Sequence, residues 1–152
     1  MPPAPSVGRI FILGLFAGVL AACGPREVPE TAEMSGAPAG PPRVEILAPV
    51  EGDTVGGPVT IRLTASGITI APASGVREEG IGHHHLIVNA DPTLADQPIP
   101  STAEYIHLGT GVSEWTFDSL PPGPHRIIAI IAWGDHVPIA GAVADTVRIV
   151  VR

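Results

Sequence analysis

The chain has 152 residues and a formal net charge of −7, with eight basic residues that are all Arg, so it lacks the basic surface on which a phosphate backbone docks, and nucleic acid is excluded as a partner. Its 18 Gly and 18 Pro, against three Phe, two Trp and one Tyr, favour short strands joined by turns over a helical bundle. The length allows one domain plus extensions.

Residues 1–22 have the layout of a secretory signal peptide: one Arg in "MPPAPSVGR", an apolar run from Ile10 to Ala22, and small residues before Cys23. The run is shorter than the roughly 20 apolar residues of a membrane-crossing helix. Leu20-Ala21-Ala22-Cys23 resembles the lipobox of bacterial lipoproteins. The resemblance implies lipidation of Cys23, the only cysteine, and cleavage to make it the new N-terminus. Several acyl chains on one residue exceed what stable anchoring requires. Gly24 stands where an inner-membrane retention signal would resemble Asp, which implies a periplasm-facing protein of the outer membrane. Residues 23–42 continue as a Pro-, Gly-, Ala- and Glu-rich stretch without apolar periodicity, the composition of a flexible tether.

From residue 43 to residue 152 short apolar alternations are broken by turns. In "PVTIRLTAS" Val59, Ile61 and Leu63 share one face and Thr60, Arg62 and Thr64 the other, the period of a half-buried antiparallel strand. "RVEIL", "HHHLIVN", "EYIHLG", "SEWTFD", "HRIIAIIAW" and "ADTVRIVVR" complete about seven strands, separated by "EGDTVGGP", "LPPGP" and "WGDHVP". Ile127 to Trp133 is apolar on both faces and predicts a central strand. The expected fold is all-β, an immunoglobulin-like antiparallel sandwich, with Val59, Ile61, Leu63, Leu86, Val88, Ile128, Ile130, Val147 and Ile149 in the core. "ILAPVEGDTVGGPVTIRLTASG" and "LPPGPHRIIAIIAWGDH" resemble the opening and closing segments of bacterial Ig-like domains.

"GIGHHHLIVNA" carries three consecutive histidines. On a strand His83 and His85 share a face with Ile87, and His84 shares the more apolar, inward face with Leu86 and Val88. His84 is then expected to be buried and satisfied by a neighbouring carbonyl. Same-face residues two apart lie roughly 6.5–7 Å apart at Cα, close enough for two imidazoles to converge on one cation. A complete site needs further ligands, for which the candidates are His107, His136 and the acids Asp91, Glu104 and Asp135. His125, after the double proline, is expected to pin a turn.

The only Cys is assigned to the anchor, so a blue-copper site, which needs a thiolate, is excluded. An all-imidazole copper or zinc site completed by carboxylate or water remains open. The H-x-H spacing is similar to that of copper/zinc superoxide dismutases, whose remaining ligand pattern is missing. With no G-x-S-x-G, no Lys and no free Cys, no enzymatic role is expected.

"GIGHHHLIVN", "DQPIP", "HLGTGVSEWTFDSLPPGPHRI" and "GDHVPI", in that order, resemble an exported bacterial family of domain of unknown function 4399, over roughly residues 79 to 150. The resemblance implies functional or structural weight for His83, His84, His85, His107, His125 and His136. This chain departs from it at Ile139, where many members carry another histidine. Two functions compete on the sequence: a cell-envelope lipoprotein binding copper or zinc through His83, His85, His107 and His136, and a metal-free Ig-like module presenting loops to an envelope protein, with structural histidines and Asp135.

Overall fold

The computed structural model describes residues 40–152; the signal peptide, Cys23 and the tether up to residue 39 lie outside the described residues. The described residues form nine strands: β1 (Arg43–Ala48), β2 (Thr54–Val55), β3 (Val59–Ser66), β4 (Thr69–Ile70), β5 (Ile81–Val88), β6 (Tyr105–Leu108), β7 (Glu114–Phe117), β8 (Gly123–Ala132) and β9 (Asp145–Val151). All seven expected strands are present, joined by the two-residue strands β2 and β4. Among the described residues no helix is long and apolar enough to cross a membrane.

One sheet runs β1-β3-β7 and the other β2-β9-β8-β5-β4, with β6 also pairing β5. Pairing is antiparallel except for the short β2–β9 and β4–β5 contacts, which are parallel. The alternation read in β3 has its physical cause here: Val59, Ile61 and Leu63 point at the second sheet while Thr60, Arg62 and Thr64 meet solvent. Against them lie Leu86, Leu108, Ile127, Ala129, Ile131, Val147 and Ile149. Each aliphatic side chain fully removed from water contributes about 1.5–3 kcal/mol, so this layer is the main stabilising term of the sandwich.

All nine expected core residues are buried, but two face the other way. Ile128 and Ile130 lie outside the inter-sheet core, in a second cluster with Ile87, Ile99 and Ala132. The β5–β8 register sets Ile87 opposite Ile128 and Leu86 opposite Ala129, so the odd-numbered residues of β8 face inward. An apolar run buried on both faces carries no alternation from which that parity could be read. β8 is central, as expected, between β9 and β5.

The second cluster exists because a long loop crosses the outer face of the larger sheet. Ile99 from that loop is buried against it, held by its N–H to the carbonyl of His136 at 2.9 Å, while the Tyr105 hydroxyl donates to the carbonyl of Asp91 at 2.7 Å. Consequently β5 is buried on both faces from Gly82 to Val88.

Candidate metal centre

The parity read for β5 holds. His83 and His85 share the outer face with Ile87, opposite Ala132 and Ile130 of β8, and His84 points inward opposite Ile131. Burial does not separate the faces, however: His83 and His84 are 0% exposed and His85 is 2% exposed. The expected carbonyl partner of His84 is absent. Its Nε2 lies 3.4 Å from the Ser113 hydroxyl, and its Nδ1 has no protein partner.

On the outer face four imidazoles converge. β6 places His107 directly opposite His85, with the two rings stacked at 5.0 Å between centroids. A turn after β8, closed by the His136 N–H donating to the carbonyl of Trp133 at 2.8 Å, swings His136 back over the same face. His136 has a φ of 69°, a left-handed conformation rare for a residue with a side chain. Nε2 of His83 meets Nε2 of His85 at 2.9 Å, and Nε2 of His107 meets Nε2 of His136 at 3.2 Å. One ring nitrogen from each of the four lies within 4.8 Å of the other three. His83 and His85 form the buried floor, and His107 and His136 form the rim toward solvent.

Burial favours the neutral form of His83, His84, His85 and His107. Burial, reinforced by the imidazoles of His107, His136 and His84, lowers His83 from 6.5 to about 4. Burial, with His83, His107, His136 and His84 adding to it, lowers His85 to about 3. Burial alone lowers His84 to about 4. His107 is also lowered, by burial and then by His136. A neutral imidazole has a free lone pair, so protons compete little for these nitrogens near pH 7.

The acids named as accessory ligands do not join the group, because each has another partner. Asp135 accepts from Arg77 Nε at 2.7 Å and from the Val137 N–H at 3.3 Å, and the Arg77 bond holds its carboxyl below the usual range. Asp91 pairs with Arg126 at 2.7 Å. Glu104 accepts from the Thr102 hydroxyl at 2.5 Å, which holds its carboxyl low. Ile139 packs into the inter-sheet core and takes no part in the cluster. His125 lies apart: its Nε2–H donates to the carbonyl of Pro121 at 2.7 Å and its Nδ1 accepts from Asn89 Nδ2 at 3.0 Å, which ties the turn before β8 to the end of β5.

The donor set fits a borderline transition metal. Four imidazoles suit zinc or copper, whereas magnesium and calcium require oxygen ligands. Residues 40–152 contain neither Cys nor Met, so this domain offers no sulfur that would favour a softer ion. Bonds of about 2.0–2.1 Å in a tetrahedron set ligand atoms roughly 3.4 Å apart, so the 2.9 and 3.2 Å pairs would open slightly and the wider pairs, up to 4.8 Å, would close around an ion. Nδ1 of His83 and of His85 has no protein partner, so packing rather than a second hydrogen bond fixes the floor rings.

Comparison with solved structures gives fibronectin(III)-like modules of CbhA from Clostridium thermocellum, 21% identical over 74% of this chain and 47% of that one, with a TM-score of 0.42. It also gives the endo-beta-1,4-mannanase from Thermotoga petrophila, 16% identical over 78% of this chain and 21% of that one, also with a TM-score of 0.42. The chain thus spans less than half the length of either. Comparison with curated proteins gave no match. The family described as Domain of unknown function (DUF4399) matches residues 61–152, more than half of the sequence and all of the histidine cluster, and the chain belongs to that family.

Proposed function

We propose that this chain is a lipoprotein of the bacterial cell envelope whose sandwich binds one copper or zinc ion through His83, His85, His107 and His136. The observation that carries the reading is the convergence of four imidazole nitrogens within 4.8 Å, two of them on a buried floor. Burying that much polar surface against an aliphatic sheet is costly unless the rings have a common partner. Each ring would offer one neutral nitrogen, and the ion would link β5, β6 and the turn after β8. Zinc would supply a structural or Lewis-acid centre and copper a one-electron centre. Envelope location rests on the signal-peptide layout and on Leu20-Ala21-Ala22-Cys23.

Calorimetric titration of the full chain carrying Cys23→Ser, so that the thiol does not compete, tests the binding. One equivalent of Cu(II) or Zn(II) is expected to bind more tightly than about micromolar, roughly 8 kcal/mol. His83→Ala combined with His85→Ala is expected to abolish that site. If neither ion binds, the 2.9 and 3.2 Å nitrogen pairs are a hydrogen-bonded network, and the domain is a metal-free interaction module.

A further inference from the structure

A surface segment, residues 71–77, which bends at Gly75 and Val76, runs past three of the four converging histidines. Its alternate amides all donate to one side: Ala71 N–H to the carbonyl of Gly82 at 2.9 Å, Ala73 N–H to Gly109 at 2.9 Å and Gly75 N–H to Gly134 at 3.0 Å. Amides two residues apart on an extended chain point the same way, so one segment can grip three acceptors. Pro72 lies between two of the donors, on the outward edge, where a missing N–H costs nothing. Each acceptor is a glycine beside a cluster histidine: Gly82 precedes His83, Gly109 follows His107 by two, and Gly134 precedes His136 by two. Arg77 adds a fourth tie, to Asp135, next to His136.

The glycines at 109 and 134 are required by space rather than by backbone conformation, since neither has a left-handed φ. A Cβ at residue 109 would overlap Cε1 and Nε2 of the His107 imidazole, the edge that faces His136. A Cβ at residue 134 would overlap the carbonyl oxygen of Val76 and approach Ser74 Oγ to 2.6 Å, forcing the segment off the turn that carries His136. We infer that residues 71–77 form a strap that holds the two rim ligands over the buried pair, with Gly109 and Gly134 as the positioning residues of His107 and His136. The inference rests on the proposed metal site for its function, and its geometry can be tested without the metal.

The test is a double-variant cycle in the full chain carrying Cys23→Ser, with Zn(II) and Cu(II) as probes. Gly109→Ala is expected to weaken binding at least tenfold and to reduce the nitrogens coupled to Cu(II) in electron paramagnetic resonance from four to three. In a His107→Ala background the same change should alter affinity less than twofold, because the ring it displaces is already gone. Wild-type affinity in Gly109→Ala, or an equal loss in both backgrounds, overturns the inference. If the wild-type chain takes up no ion, the metal-binding reading fails. The strap is then decided by imidazole NMR of the metal-free chain, where Gly134→Ala, whose Cβ would meet Val76 and Ser74, must abolish the His107–His136 ring contact. Persistence of that contact overturns the inference. Should Gly109→Ala not fold, Ala73→Pro, which deletes the N–H that Gly109 accepts, replaces it with the same expected outcomes.

Discussion

Acidification of the metal-free protein should unfold it in a window set by the three consecutive histidines. In the unfolded chain each titrates near 6.5, whereas in the fold His83 and His84 are lowered to about 4 and His85 to about 3, chiefly by burial. The unfolded state therefore binds more protons between these values. Stability is full above pH 6.5 and falls as the pH drops toward 4. For a group lowered this far, linkage gives a loss of about 2 kcal/mol at pH 5, and three of them together about 6 kcal/mol. That is comparable with the whole stability of an ordinary domain, about 5–15 kcal/mol. Asp135 and Glu104, whose carboxyls are held low, add acid lability only from the normal carboxylate range downward, so the loss between pH 6.5 and about 5 belongs to the histidines. Urea unfolding at pH 7, 6 and 5 with a chelator present should show the midpoint falling steeply at constant slope. A midpoint that moves by less than the equivalent of about 1 kcal/mol between pH 7 and 5 would refute the neutral, buried state of these rings.

His125→Ala should lower stability by about 2 kcal/mol, since it deletes two hydrogen bonds of a 7% exposed ring, and should leave metal affinity unchanged. Urea unfolding and titration of the same preparation check both halves. Leu86→Ala, at a 0% exposed position in the inter-sheet core, should cost about 2–5 kcal/mol by the same denaturation assay. Cys23→Ser should abolish membrane anchoring in cells, and mass spectrometry of the wild-type membrane fraction should find an acylated N-terminal Cys23; an unprocessed Met1 there would refute the lipoprotein reading.

The strands were legible because period-two alternation is a direct consequence of one face meeting water, as in Val59, Ile61 and Leu63 against Thr60, Arg62 and Thr64. Legibility ended where both faces are covered. β8 carries Ile127 to Ala132 as one apolar run, and only its register with β5 shows that Ile128 and Ile130 belong to the outer cluster. The short parallel strands β2 and β4 left no signal, because two residues cannot display a period. Sequence alone does not show which partner a carboxylate takes. A carboxylate near a histidine in sequence has several competing partners in space, and Arg77 and Arg126 took Asp135 and Asp91.

The four cluster histidines illustrate how far local pattern reaches. The H-x-H spacing fixes that His83 and His85 share a face, and strand pairing then gives His107 its place opposite His85. His136 depends instead on a left-handed residue in a turn, and the turn depends on a surface segment more than fifty residues earlier in the chain. Gly109 and Gly134 were visible in the sequence, each two residues from a histidine, yet a glycine in a turn-rich chain ordinarily signals backbone conformation. Here their φ angles are ordinary and the missing atom is what matters, because the space it leaves is filled at Gly109 by the His107 ring and at Gly134 by Val76 and Ser74 of the strap. Convergence of the rim on the floor thus combines the β5–β6 pairing, which places His107, with the hold of residues 71–77 on Gly109 and on the turn that carries His136. Loosening this segment should disperse His107 and His136 while leaving the buried pair on β5 in place.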